Sequence, residues 1–287
     1  MNTRIKFPAV VFFPVLLAIA ISLLSCGGGS TLQPPPPVSG WTLVWSDEFS
    51  GANGSAPDPT KWTYDTGGKG WGNNELECYT NQPQNVQVQG GYLVITALQQ
   101  SITCSDGAQN NYTSARIKTQ GLFSQAYGRF EARIQIPKGQ GMWPAFWMLG
   151  DNITSVGWPT CGEIDIMENI GKEPGTVHGS MHGPSTTGPT SDASAAFSLP
   201  SGQDFADDFH IYAVEWSPGT VSFYVDSNLY ETVTQSQWPA GGTWVFDHPF
   251  FIILNVAVGG NWPGSPDNTT QFPQQMLVDY VRVYTKQ

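Results

Sequence analysis

Three carboxylates, Glu163, Asp165 and Glu168, fall within six residues of an otherwise apolar run, Gly162-Glu163-Ile164-Asp165-Ile166-Met167-Glu168-Asn169. In a strand, side chains two apart share a face, so Glu163 and Asp165 point together while Ile164 and Ile166 point into the opposite layer. Glu168 stands at an odd offset from Glu163 and joins that face only if a β-bulge around Ile166 and Met167 absorbs one residue. Two carboxyl groups so placed can cleave a glycosidic bond. At ~5–5.5 Å one attacks the sugar while the other protonates the leaving group, whereas at ~6.5–9.5 Å a water fits between and configuration inverts. The bulged spacing, roughly 13 Å along the backbone before the side chains lean together, predicts the shorter case. Asp165, between them, would hold the two glutamates in different protonation states. Taken alone, the acidic motif also suits a calcium site or a solvated edge strand.

Positioning such a motif requires sheet, and the chain alternates wherever it is regular. Arg129-Phe130-Glu131-Ala132-Arg133-Ile134-Gln135-Ile136 has period two, and Thr220 to Asp226 follows Ser217-Pro218-Gly219 as the second arm of a hairpin. Further strands are expected near 41–49, 92–99, 114–120, 143–149, 162–169, 177–182, 210–216, 249–258 and 276–285. Short strands separated by Gly, Pro, Asn and Ser predict an all-β fold of two packed antiparallel sheets. The long segments 183–208 and 260–275 are expected as loops walling a cleft. Trp143 and Trp147 share a strand face and are the aromatic side chains best placed to stack on sugar rings. His178 and His182 also share a face, but no third ligand completes a metal set.

The residues Gly162 to Asn169 resemble the active-site signature of glycoside hydrolase family 16, in the Met-containing form typical of its laminarinases, which are endo-1,3-β-glucanases. Trp71-Gly72-Asn73-Asn74-Glu75-Leu76-Glu77-Cys78-Tyr79-Thr80, Ser114-Ala115-Arg116-Ile117, Tyr127 to Arg133, Gly141 to Trp147, Asn255 to Gly260 and Asp279 to Tyr284 resemble that family in its order, so the likeness spans about residues 41–285. It implies a jelly-roll β-sandwich with a concave substrate cleft and a retaining hydrolase of neutral β-glucan. By that resemblance Glu163 is the nucleophile, Glu168 the acid and then base, and Asp165 the electrostatic assistant. It further implies sugar contacts at Asn73, Arg116, His182 and Asn255 beside Trp143 and Trp147, and a structural calcium held near Glu48, Gly90 and Asp279. No cofactor is required for the chemistry. A non-catalytic glycan-binding module and another activity of the same family, on agar, carrageenan, xyloglucan or galactan, are the rival expectations.

The formal net charge is −11, which disfavours nucleic acid and anionic polysaccharides and suits a neutral glycan. Arg4 and Lys6, the apolar stretch Phe7 to Leu24 and Leu23-Leu24-Ser25-Cys26 read as an exported lipoprotein leader, residues 1–25, with Cys26 lipidated. An uncleaved transmembrane anchor is the alternative. A Gly- and Pro-rich tether, 26–38, and one catalytic domain, 39–287, would follow, giving a monomer held at the bacterial outer membrane or cell surface. Setting Cys26 aside leaves Cys78, Cys104 and Cys161. Cys78 and Cys104, in loop or strand-end contexts, are expected to pair, and Cys161 to be a small buried residue.

Overall fold

The computed structural model describes residues 40–287 together with Met1. The leader, Cys26 and the 26–38 tether lie outside the described residues. Two sheets make up the fold, one of ten strands and one of seven. The seven-stranded sheet runs in the order Ser191–Ser198, Thr176–Gly183, Glu163–Glu168, Met142–Gly150, Phe250–Val258, Arg116–Lys118, Thr63–Asp65. All its neighbours pair antiparallel. The ten-stranded sheet is built around Gly128–Gln135 and Gln274–Lys286, which pair with each other.

Alternation produces the sandwich. Ile164 on the acidic strand, Phe146 and Met148 beside it, and Ile252, Leu254 and Val256 beyond are buried in one cluster with Phe130, Ile134, Val214, Phe223 and Val281 of the facing sheet. Removing these apolar surfaces from water, at about 25 cal/mol per Å², drives the two sheets together. The opposite face of the seven-stranded sheet is thereby turned away from the core.

Two expectations change here. The segment expected as a loop over 183–208 contains the edge strand Ser191–Ser198, paired residue for residue with Thr176–Gly183. Its Ser, Asp and Ala side chains lack the β-branched signal, and the partner strand supplies the pairing that propensity does not. Asn228–Thr234, likewise unforeseen, forms the outer edge of the larger sheet. Cys78 and Cys104 form the expected disulfide, and Cys161 is free and buried. Closing that loop is worth about 3.5 kcal/mol on the chain-entropy model.

Candidate active site

The β-bulge is present where the acidic motif requires it. Against Met142–Gly150, Asp165 faces Trp147 and Met167 faces Phe146, so Ile166 has no counterpart. Against Thr176–Gly183, Glu163 faces His182 and Glu168 faces His178, so five steps on one strand match four on the other. The extra residue restores Glu168 to the face of Glu163 and Asp165. Gly162 enters this strand at φ 76°, and a Cβ there would lie 2.9 Å from the Phe250 ring. Glycine is needed there on both counts.

Because register is shared across the sheet, one face of each strand lines a single cleft of about 740 Å³. Leu149, Trp147 and Ala145 stand opposite the three acids, His182, Ser180 and His178 stand on the other side, and Asn255 and Ala257 follow one strand further. Asn73, Arg116, Trp143, Trp147, His182 and Asn255, expected as sugar contacts, all line this cleft with Glu163, Asp165 and Glu168.

Each acid has its own partners. Trp158 Nε1 donates to Glu163 Oε2 at 2.6 Å, and Trp143 Nε1 donates to Glu168 Oε1 at 2.9 Å. Asp165, only 3 % exposed, accepts from Ser180 Oγ at 2.7 Å and faces His182 Nε2 at 3.1 Å. The other ring nitrogen of His182 lies 2.6 Å from Asp192 Oδ1. Burial works against charging that ring, but the hydrogen bond and charge of Asp165, then Glu163 and Asp192, push His182 up to about 10. The imidazolium compensates negative charge in a cluster that otherwise holds three carboxyl groups.

Burial, followed by the Asp165 charge, raises both glutamates. Glu168 is pushed up to about 8, against the opposing pull of Trp143, His182 and Ser180. Glu163 is raised by burial, Asp165 and Glu168, and His182 opposes the rise. With both carboxyls raised, the pair retains a proton toward neutral pH, and that proton on Glu168 can be donated while Glu163 is the carboxylate. Glu163, Asp165 and His182 each bring an atom within 4.8 Å of the others. Both ring nitrogens of His182 are engaged by aspartates, so the trio suits charge compensation better than holding a metal.

Arg116 pairs with Asp65 at 3.0 Å and lies 4.6 Å from the Trp147 ring centroid and 5.2 Å from that of Trp71. Trp147 Nε1 donates to Asn255 Oδ1 at 2.7 Å. Trp143 meets Trp262 edge-on, and Trp262 comes from the expected cleft-walling segment 260–275. His178 lines the cleft, packs against Trp262 and lies 3.5 Å from Glu173.

Sequence reasoning missed Trp71, Trp158, Ser180, Asp192 and Trp262. Ser180 had a usable signal, since it lies two residues before His182 on the same strand face. Trp158 had none, because it is 52 % exposed in a loop and reaches Glu163 only through the fold.

The residues expected to hold calcium lie away from the cleft. Both carboxylate oxygens of Glu48 are taken by Arg282, at 2.9 and 2.7 Å, and Asp279 Oδ2 pairs with Arg133 at 2.8 Å. The Gly90 N–H bonds Asn53. The Glu48 side chain consequently does not fit as a calcium ligand, since a guanidinium already neutralises it in a bidentate pair. That leaves main-chain carbonyls and the second Asp279 oxygen as donors.

A jelly-roll sandwich with a bulged acidic strand under an aromatic cleft defines a glycoside hydrolase. The chain belongs to the family described as "Glycosyl hydrolases family 16", whose model matches residues 73–282. It is 42 % identical to a β-glucanase of Rhodothermus marinus, over 94 % of this chain and 92 % of that protein. It is 40 % identical to glucan endo-1,3-β-glucosidase A1 of Niallia circulans, over 88 % of this chain and 39 % of that longer protein. Among solved structures, the laminarinase catalytic domain of Thermotoga maritima is 49 % identical with a TM-score of 0.80, covering 86 % of this chain and 99 % of that one.

Proposed function

We propose that the protein is an endo-acting, retaining hydrolase of internal β-1,3-glucosidic bonds in laminarin-type or mixed-linkage β-glucans. The observation that carries the reading is the bulge, which brings Glu163, Asp165 and Glu168 onto one cleft-facing surface with Glu168 pushed up to about 8. Similarity to β-1,3-glucanases supports the substrate class.

In the first step the protonated Glu168 gives its proton to the departing glycosidic oxygen as the ionised Glu163 carboxylate attacks the anomeric carbon, breaking the glycosidic bond and forming a glycosyl-enzyme ester. In the second, the resulting Glu168 carboxylate takes a proton from water. That water attacks the same carbon, releasing Glu163 and returning the proton to Glu168. His182 counters the negative charge while Asp165 stays clamped by Ser180. Trp143, Trp147, Trp158 and Trp262 supply ring faces for flat sugar surfaces, and Asn73, Arg116 and Asn255 supply polar contacts. Lipid on Cys26 would hold the mature chain at the outer membrane or cell surface, a reading supported by the Leu23-Leu24-Ser25-Cys26 junction.

Product analysis on soluble β-glucans tests the substrate class. Oligosaccharides released from laminarin, with retained configuration in the first product, are expected. Release from agar, carrageenan, xyloglucan or galactan with laminarin left intact would transfer the site to another substrate. Binding without new reducing ends would make it a glycan-binding module.

A further inference from the structure

Beside the three acids lies a second pair that the hydrolytic steps do not use, Glu75 lining the cleft and Glu77 behind it. Glu77 is fully buried and Glu75 is 9 % exposed. Glu77 Oε2 accepts the Val258 N–H at 2.7 Å, while its Oε1 is sealed from solvent without a donor to satisfy it. The neighbouring acceptor is Glu75, whose carboxyl is within hydrogen-bonding reach of Glu77. Two carboxylates cannot hydrogen-bond each other, but a carboxylic acid and a carboxylate can, and a proton on Glu77 Oε1 turns the orphaned acceptor into a donor.

From Glu75 a continuous chain runs through the buried Tyr79 to two further cleft residues. Glu75 Oε2 accepts from Tyr79 Oη at 3.0 Å, Tyr79 Oη accepts from Asn255 Nδ2 at 3.0 Å, and Asn255 Oδ1 accepts from Trp147 Nε1 at 2.7 Å. Asn73 Nδ2 reaches Glu75 Oε1 at 3.5 Å. An amide can be oriented from either end. Here Tyr79 commits its proton to Glu75 and so must accept from the Asn255 nitrogen, which leaves the Asn255 oxygen for the indole.

We propose that Glu77 is a protonated positioning residue that holds Glu75 as the anionic end of this chain and thereby sets the orientation of Asn255 and Trp147 for glycan. The inference rests on the reading of the cleft as a glycan site, whereas the proton on Glu77 does not. Burial and then the Glu75 charge favour the neutral form of Glu77. The charged or titratable groups around the pair are Glu75 and Tyr79 on its own segment, Arg116 across the cleft wall, and Tyr112, opposite Glu77 on the adjoining strand. Burial raises Glu75 as well, and the hydrogen bonds of Glu77 and Tyr79 and then the Arg116 charge oppose that rise and favour its anion. The Cys78–Cys104 disulfide, between the two partners of the chain, pins the segment.

Glu77→Gln and Glu77→Leu on the full chain test this. The amide N–H of Gln can replace the acid proton, so Glu77→Gln should keep KM and kcat within about twofold of wild type, whereas Glu77→Leu should raise KM by about tenfold with kcat little changed. Infrared difference spectra of wild type against Glu77→Gln at neutral pH should contain the carbonyl stretch of a protonated carboxyl. A carboxyl raised in the folded state loses stability as pH climbs above its unfolded value, so the Tm of Glu77→Gln should gain on wild type as pH rises from the ordinary glutamate range toward neutrality. Absence of the protonated-carboxyl band, or Tm curves that run parallel with pH, would overturn the proton on Glu77 even if Glu77→Leu fails to fold. A KM as poor in Glu77→Gln as in Glu77→Leu would overturn the positioning role. A wild-type chain with no activity on any β-1,3-glucan would defeat the substrate reading instead and leave the infrared and Tm results standing.

Discussion

Trp143 Nε1 donates a 2.9 Å hydrogen bond to Glu168 Oε1, and this bond opposes the burial that pushes Glu168 up to about 8. The acid works only while protonated, so kcat/KM should fall as pH rises through about 8. Trp143→Phe keeps a ring but removes the N–H that favours the anion, so the basic limb of the profile should move to higher pH. A limb that stays in place in Trp143→Phe would show that another group sets it.

The division of labour between the two glutamates is open to a chemical test. Glu163→Ala should lose at least about 10⁴-fold in activity on every substrate, whatever its leaving group. Glu168→Ala should still form the glycosyl-enzyme from an aryl glycoside with a good leaving group, and should fail on natural glucan, whose leaving oxygen needs the proton. With azide present, Glu168→Ala should yield the β-glycosyl azide and Glu163→Ala the α-product. Exchange of these products between the variants would exchange the two roles.

His182 contributes stability with a defined pH window. Its folded value, about 10, lies above the ordinary 6.5, so the contribution is complete below 6.5 and is lost as pH rises through about 10. The Tm gap between wild type and His182→Gln should be widest at the acid end of that window and close toward the alkaline end. Loss of the imidazolium should also raise Glu163 and Glu168 further, since His182 lowers both. Thermal melts across pH check the first outcome and kcat/KM profiles the second.

Trp158 is half-exposed and touches Glu163 through its N–H. Trp158→Ala should therefore leave Tm nearly unchanged while weakening glucan binding by about tenfold, the scale of one lost stacking ring. A large fall in Tm with unchanged affinity in the folded variant would assign the ring to structure.

Lipidation of Cys26 is checked by mass spectrometry of the membrane fraction. The mature chain should begin at a lipid-bearing Cys26, and Cys26→Ser should release the protein from the membrane. An N-terminus elsewhere would contradict the leader reading.

Period-two alternation determined, from sequence alone, that Ile164 faces a core and that Glu163 and Asp165 face away from it, because the two faces of a strand are separated by covalent geometry. The odd offset of Glu168 likewise demanded a bulge, and the register contains one at Ile166. Strand pairing between distant segments was less legible. Ser191–Ser198 has no strong propensity of its own and is a strand only because Thr176–Gly183 offers it hydrogen bonds. That pairing brings Asp192 to His182, and without it the imidazole would lack its second carboxylate. Tyr79 reaches Asn255 and Trp262 reaches Trp143 at separations where one-dimensional spacing carries no signal, and Trp158, only five residues from Glu163, does so from an irregular loop that has no periodicity to read. Tertiary structure also decided the protonation states. Burial of Glu168 and Glu77 depends on which surfaces the two sheets exclude from water, and desolvation is the largest force raising both carboxyls.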